Sequence, residues 1–329
     1  MSTVLVTGGA GYIGSHVCKA LAETGFEPVT FDNLSTGWQS AVQFGPLVRG
    51  DLLDPDALQQ VFTRYKPVAV LHFAALSEVG ISARQPVKYW KNNLTGSLNL
   101  VSAALASGVK NIVFSSTCAV YGPLTSDGFT EDHPRMPVNV YGQTKLAVEH
   151  LLSGLEASDD LRSVIFRYFN AAGADRGARI GEDHRPESHL IPRVLDAADG
   201  ALEAISIFGD DYDTPDGTCV RDYIHVTDLA DAHVRGLQWL LDGGASMAFN
   251  LGSGQGHSVR QVIDVASKVT GVSLEPKIGP RRPGDPAKLV SGSELAGKTL
   301  GWTLCHSGLE DMISDAWRWH QTGKYEETR

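Results

Sequence analysis

Short apolar runs alternate with longer amphipathic stretches through the first half of the chain. Residues 3–7, 27–31, 69–72, 111–115 and 163–167 are brief runs rich in Val, Ile, Leu and Phe, and runs of this length predict buried strands. Between several of them, residues 14–24, 56–65 and 93–107 carry apolar positions at helical spacing. Strands alternating with such helices predict βαβ units and an α/β fold, a doubly wound parallel sheet of Rossmann-like type.

After residue 173 the texture changes. Pro, Gly, Asp and Arg crowd residues 173–192, 209–217 and 278–286, punctuated by short apolar elements at 205–208 and 249–251. This predicts a smaller mixed α/β lobe with ordered, pocket-building loops. The expected division is 1–173 for a cofactor domain and 174–329 for a substrate domain, with about 224–250 returning to the first. An amphipathic helix at 308–321 is expected to pack Trp317 and Trp319 into a core. The 329 residues suffice for one large domain and a smaller one, and 42% hydrophobic with 20% charged residues can bury a real core.

Charge narrows the ligand classes. A net charge of -10 gives no general attraction for nucleic acid or anionic lipid, so an anionic ligand must be held by local arginines and backbone N–H groups. Cys18, Cys118, Cys219 and Cys305 lie far apart with no CxxC pair. That pattern predicts neither a disulfide framework nor a thiolate metal site, and suits a reducing cytoplasm. The opening MSTVLVTGG reads as strand and glycine turn rather than signal peptide, and no apolar run nears the ~20 residues that cross a bilayer.

The segment Val4-Leu5-Val6-Thr7-Gly8-Gly9-Ala10-Gly11-Tyr12-Ile13-Gly14 reads as strand, glycine turn and helix start. Gly9, Gly11 and Gly14 fit GxGxxG; Gly8, Gly11 and Gly14 fit GxxGxxG. Such a turn lets backbone approach a pyrophosphate, and the helix N-terminus behind it offers free N–H groups and a positive dipole end. Glycines alone are weak evidence. Here Asp32, followed by Asn33, ends the next predicted strand, where a carboxylate accepts from an adenosine ribose diol and repels a 2′-phosphate. NAD is therefore expected over NADP. Asp51-Leu52 and Phe73-Ala74-Ala75 end the next two predicted strands, where adenine and nicotinamide-ribose contacts belong.

Of the nine tyrosines, only Tyr141 is followed four residues later by a lysine, Lys145. One helical turn puts both on one face. Free tyrosine titrates near pH ~10, too high for an efficient base at neutral pH, and a nearby ammonium favours the phenolate. Lys145 could also hold a nicotinamide ribose. Phe114-Ser115-Ser116-Thr117 ends an earlier predicted strand, where a hydroxyl can bond both the phenol and a substrate hydroxyl. Cys118 reads as a small packed residue, with no histidine partner for a thiolate. His184 and His189 lie near Glu182 and Asp183 with a spacing that matches no compact ligand set, so no metal site is expected. His16, His72 and His225 are expected to pack or hydrogen-bond.

The segments TGGAGYIG, SSTCAVYG, YGQTK, RYFNAAGA, DGTCVRDYIHVTDLADAH and PRRPGD, in this order, resemble the UDP-glucose 4-epimerase family within the extended short-chain dehydrogenases/reductases. The resemblance runs from Val4 to about Trp319. The glycine loop and YxxxK mark only the superfamily; RYFNAAGA and RDYIHVTDLADAH are far more specific to its sugar-nucleotide epimerases. The resemblance implies interconversion of UDP-glucose and UDP-galactose through a transient 4-keto sugar and bound NAD. Tyr141 would be the base, Lys145 its support, and Thr117 the residue touching the sugar. Cofactor contacts are implied at Gly8, Gly11, Tyr12, Ile13, Gly14, Asn92, Ser115 and Tyr168. Substrate contacts are implied at Asn170, His189, Leu190, Ser206, Ile207, Phe208, Arg221, Arg282 and Asp285. A homodimer through residues 93–107 and 143–152 is also implied. Independently, Arg221 and Arg282 sit in Gly/Pro/Asp-rich loops where a guanidinium fork can grip phosphate.

Two positions depart from the family pattern. Ser77 stands where some members carry lysine, and Leu289 where some carry an aromatic residue that closes the sugar pocket. The smaller Leu289 leaves room for an N-acetyl group at C2. UDP-N-acetylhexosamine is therefore an alternative substrate, and UDP-pentose or UDP-uronate is a separate alternative that nothing in the sequence excludes. A 4,6-dehydratase is disfavoured because Cys118 and Ala119, not Asp or Glu, follow Thr117. A non-catalytic NAD-sensing protein on the same fold is the reading from a different class.

Overall fold

The computed structural model describes residues 1–122, 128–282, 285–322 and 325. Its first half contains β1 (Thr3–Thr7), α1 (Tyr12–Glu23), β2 (Glu27–Asp32), β3 (Leu47–Arg49), α2 (Pro55–Tyr65) and β4 (Ala69–His72). There follow α3 (Val79–Arg84), α4 (Pro86–Tyr89), α5 (Gly96–Ala106), β5 (Asn111–Ser115), α6 (Val140–Asp159) and β6 (Arg162–Tyr168). The chain continues through β7 (Asn170–Ala172), α7 (Leu190–Ala198), β8 (Ser206–Phe208), β9 (Val220–His225), α8 (Val226–Leu241) and β10 (Met247–Leu251). It closes with β11 (Gly256–Ser258), α9 (Val259–Thr270), β12 (Lys277–Gly279), β13 (Lys288–Leu289), α10 (Glu294–Leu300) and α11 (Leu309–His320).

Seven strands form one parallel sheet in the order β10-β6-β5-β4-β1-β2-β3. Successive residues of each strand serve opposite faces. Val4 and Val6 join Val17, Leu21, Leu237 and Phe249 on one side, while Leu5 joins Phe62, Leu100 and Leu152 on the other. Helices cover both faces, which is why the strands read as continuous apolar runs. The winding reverses between β1 and β4, so a crevice opens beyond their C-terminal ends. β10 fills the edge beside β6, and α8 lies against α1.

A smaller layer stands over that crevice. β9 is its spine, pairing antiparallel with β11 and parallel with β13 and β7. β8 and β12 form a separate parallel pair. Ile191, Leu195, Ile207, Val262, Ile263, Met312 and Ile313 make its core. Trp317 packs on this core, and Trp319 is buried with its indole N–H donating to the Glu182 carbonyl at 3.0 Å.

Local chemistry sets several boundaries. Pro55 opens α2 and the Asp54 side chain caps it. α9 begins with a reciprocal Ser258–Gln261 capping box and ends on Gly271 at φ 73. Two helices differ from the apolar pattern. The helix expected at 93–107 begins instead with a wide π-helical turn, Trp90–Thr95, ahead of α5. Asn93 in that turn accepts from Leu76 N–H and donates to the Leu76 carbonyl and Thr144 hydroxyl, each at 2.9–3.0 Å. α6 runs beyond the 143–152 segment at both ends, from Val140 to Asp159, and so carries Tyr141 with Lys145; the Asn139 side chain caps Gly142 N–H at 2.8 Å. Among the described residues, no helix is long and apolar enough to cross a membrane.

Candidate active site

The turn between β1 and α1 is shaped by steric necessity. Gly8 has φ +74, and a Cβ there would lie 2.6 Å from the Ala74 nitrogen. A Cβ on Gly14 would sit 2.2 Å from the Gly8 carbonyl oxygen. α1 starts at Tyr12 with Gly11 as N-cap and no capping side chain, so the first-turn N–H groups of Tyr12, Ile13 and Gly14 face the crevice end of the helix. Asp32 is buried at the end of β2 and accepts from Ala10 N–H at 3.1 Å and Leu34 N–H at 2.8 Å. Each oxygen keeps a lone pair for a further donor. Burial pushes this carboxyl up, and those two bonds pull it back. Asn33 donates to Asp51 at 2.9 Å, while Phe73 and Ala74 N–H both reach the Thr7 carbonyl. Thus two strand ends lock against the glycine turn.

Tyr141 lies in the first turn of α6, and the Thr117 hydroxyl is near enough to its phenol to favour the phenolate. Lys145, one turn on, is buried and donates to the Ser115 carbonyl at 2.7 Å. The Ser115 hydroxyl in turn meets the Tyr168 hydroxyl at 2.5 Å. Residues far apart in sequence therefore converge at the C-terminal ends of β5 and β6.

Electrostatics differ from the expectation that Lys145 lowers the phenol. Burial pushes Tyr141 up to about 12, with only the Thr117 hydroxyl opposing. Burial likewise pulls Lys145 down to about 7, against the attraction of Glu149. The ammonium is directed at the Ser115 carbonyl and lies 4.8 Å from the centre of the Phe114 ring. Desolvation outweighs the neighbouring charge in the protein alone.

The expected substrate residues fall in three places. Asn170 donates to the Asp222 carbonyl at 2.8 Å, beside β9. Arg221, on β9, donates to Asp285 at 2.5 Å and to the Val220 carbonyl at 2.8 Å, so the expected phosphate arginine and ribose carboxylate are one coupled pair. Leu289 lies in the adjacent β13 and packs on the cluster of Cys118, Tyr121 and Phe129. Arg282 sits 4.1 Å over the Phe208 ring at the β8–β12 edge, with Ser206 two residues before. His189 caps α7 and Leu190 begins it.

Three expected contact residues have partners within the fold. The Leu52 and Ile207 side chains are buried in the hydrophobic cores. Asn92 bonds the side chain of Asn93 at 3.0 Å, and Asn93 is the one that ties the segment together. Pro283 and Gly284 of PRRPGD lie outside the described residues.

A family model described as "NAD dependent epimerase/dehydratase family" matches residues 4–252. The chain belongs to this family. It is 50% identical over 318 residues to a UDP-glucose 4-epimerase of Rhizobium leguminosarum bv. trifolii, covering 97% of both chains. It superposes on UDP-glucose 4-epimerase from Brucella ovis in complex with NAD with a TM-score of 0.95 and 46% identity, over 97% of this chain and 98% of that one. The UDP-Glc/GlcNAc 4-epimerase of Campylobacter jejuni matches at a TM-score of 0.86 and 37% identity, over 98% of this chain and 100% of that one.

Within this family fold, sequence reasoning missed several polar centres. Buried Glu149 accepts from Ser116 at 2.6 Å and from both ends of the Arg167 fork at 2.7 and 3.0 Å. Its signal was legible: an acid one turn beyond Lys145, on the same helix face. Asp222 accepts from Ser253, Gly254 and Ser291 N–H groups at 2.9–3.2 Å, joining β9 to two later loops. The expectation that the His184–His189 segment offers no compact ligand set also fails geometrically. Glu187 folds back to join Glu182, His184 and His189, while Asp183 turns away to pair with Arg185 at 3.0 Å. Sequence spacing hid this because the loop reverses.

Proposed function

We propose that this chain interconverts UDP-glucose and UDP-galactose by inverting carbon 4 of the hexose with bound NAD. The observation that carries this reading is the Thr117–Tyr141 hydroxyl pair with Lys145 one turn behind, set beside a glycine turn fit for a dinucleotide. That turn fits NAD because Gly14, whose Cβ would lie 2.2 Å from the Gly8 carbonyl oxygen, lets the helix start pack tightly on the turn, and because Asp32 retains lone pairs for a ribose diol. Close relatives carrying this activity span the chain end to end.

Tyr141 takes the proton from O4, with the Thr117 hydroxyl holding O4 and phenol in line. Bound NAD⁺ supplies the hydride acceptor for C4 and a positive charge that favours the phenolate. Lys145 and Tyr168 hold the nicotinamide-ribose side through Ser115. The 4-keto sugar is planar at C4 and turns over while Arg221 and Arg282 keep the diphosphate. His189, Leu190, Ser206, Phe208, Asp285 and Asn170 hold the uridine and sugar. Tyr141 then returns the proton to O4 as C4 takes back, on its other face, the hydride that bound NAD would hold. In this division, 1–173 with 224–250 hold NAD and 174–329 hold the sugar nucleotide.

The test is to incubate purified protein, without added NAD, with UDP-glucose and to identify products by NMR. UDP-galactose is expected. No product, or one lighter by a water molecule, ends the reading.

Leu289 favours a second substrate class. It packs beside the Thr117 segment, and the relative at 37% identity acts on both UDP-Glc and UDP-GlcNAc. Turnover of UDP-N-acetylglucosamine is expected; its absence excludes the wider pocket. A homodimer through α5 and α6 is supported by exposed Val87, Trp90 and Leu98 on that side, and light scattering of the eluted protein measures it. A cytoplasmic location suits the four free cysteines.

A further inference from the structure

The loop before α7 brings four ligating side chains together. Glu182, His184, Glu187 and His189 each offer one ligand atom, all within 4.8 Å of one another. Glu182 Oε1 lies 2.8 Å from His189 Nδ1 and 3.2 Å from His184 Nδ1. Glu187 approaches the same two nitrogens at 3.4 and 3.7 Å. A tetrahedral zinc ion with bonds of about 2.0–2.1 Å sets its ligands about 3.3–3.4 Å apart. The four separations straddle that spacing.

We propose that Glu182, His184, Glu187 and His189 form a binding site for a divalent transition-metal ion of the zinc class. Two imidazole nitrogens and two carboxylates suit zinc and its neighbours, whereas calcium and magnesium demand oxygen alone. The charge balances with neutral rings, since one divalent ion offsets two carboxylates that are each 8% exposed. His184 Nδ1 is buried and makes no well-aligned hydrogen bond, although a carboxylate oxygen is 3.2 Å away.

An outer layer orients the ligands, as metal sites require. Ser188 and His189 N–H groups both donate to Glu187 Oε1 at 2.7 Å. The Trp319 indole holds the Glu182 carbonyl. The carboxylates also bear on Tyr12, whose hydroxyl donates to the Gly173 carbonyl at 2.6 Å. The ion would therefore fasten the loop carrying His189 and Leu190 against the glycine turn. The rival occupant is a pair of protons, one on each ring.

Untagged full-length protein, loaded with excess zinc and passed through gel filtration, is expected to retain about one zinc per chain by mass spectrometry. His184→Gln with Glu187→Gln is expected to weaken zinc binding at least about tenfold, with NAD content and far-UV circular dichroism reporting that it folds. Equal retention by wild type and this variant, or none by either, overturns the site. Should the variant not fold, cobalt added to wild type decides. Intense visible bands of a four-coordinate ion at one equivalent support the site; a weak octahedral spectrum overturns it.

Discussion

Burial without a matching charge makes a phenol hold its proton, and Tyr141 at about 12 is such a phenol. In the proposed reaction, then, the phenolate is favoured by the charge of bound NAD⁺ rather than by Lys145. Tyr141→Phe is expected to retain NAD and UDP-sugar while turnover falls about 10²–10⁴-fold; steady-state kcat measures it, and a near-normal value removes Tyr141 from its role. Thr117→Val loses one aligning hydrogen bond, and about a tenfold fall in kcat is expected. Gly14→Ala is expected to purify with little NAD, since its methyl would meet the Gly8 carbonyl at 2.2 Å; the cofactor absorbance ratio reports this. At this scale the YxxxK pair, the hydroxyl of Thr117 and the acid at 32 were readable because one-turn spacing and strand ends fix neighbours. Asn93 and Glu187 were not, because their partners come from turns whose direction no local spacing encodes.

At the scale of the element, α6 is held at its start by one side chain. Asn139 caps Gly142, the residue next to Tyr141. Asn139→Ala is expected to cost about 1 kcal/mol and to reduce kcat more than KM, because it loosens the turn that aims the phenol. Denaturant unfolding together with kinetics checks both parts. Periodicity located α1, α2 and the first strands, whose apolar faces meet the sheet directly. It misplaced the start of α5, where Asn93 opens a wide turn by binding Leu76 and Thr144. The segment RDYIHVTDLADAH owes its composition to such anchoring. Asp222 gathers two loops, and Asp228 accepts from Cys305 and His306 N–H groups and the Ser307 hydroxyl at 2.7–3.1 Å.

Across the whole molecule, buried histidines set the acid limit. Burial lowers His16 and His233 to about 4 and His72 to about 3, below the ~6.5 of an unfolded chain. Between these values the unfolded state binds more protons, so stability is full above pH ~6.5 and falls as pH drops. His233 packs among Phe73, Phe166 and Tyr168. His233→Phe is expected to gain on the order of 2 kcal/mol relative to wild type between pH 7 and pH 5. Parallel Tm profiles for the two proteins would refute this.

The sheet also recruits β10 only after the chain has visited the upper layer and come back. No single cut therefore yields a self-sufficient base and a detachable top. Anyone wishing to transplant sugar preference from a relative must graft two ribbons, one ahead of α8 and one after β10, because a single-cassette exchange would import a foreign edge strand into the recipient's nucleotide floor.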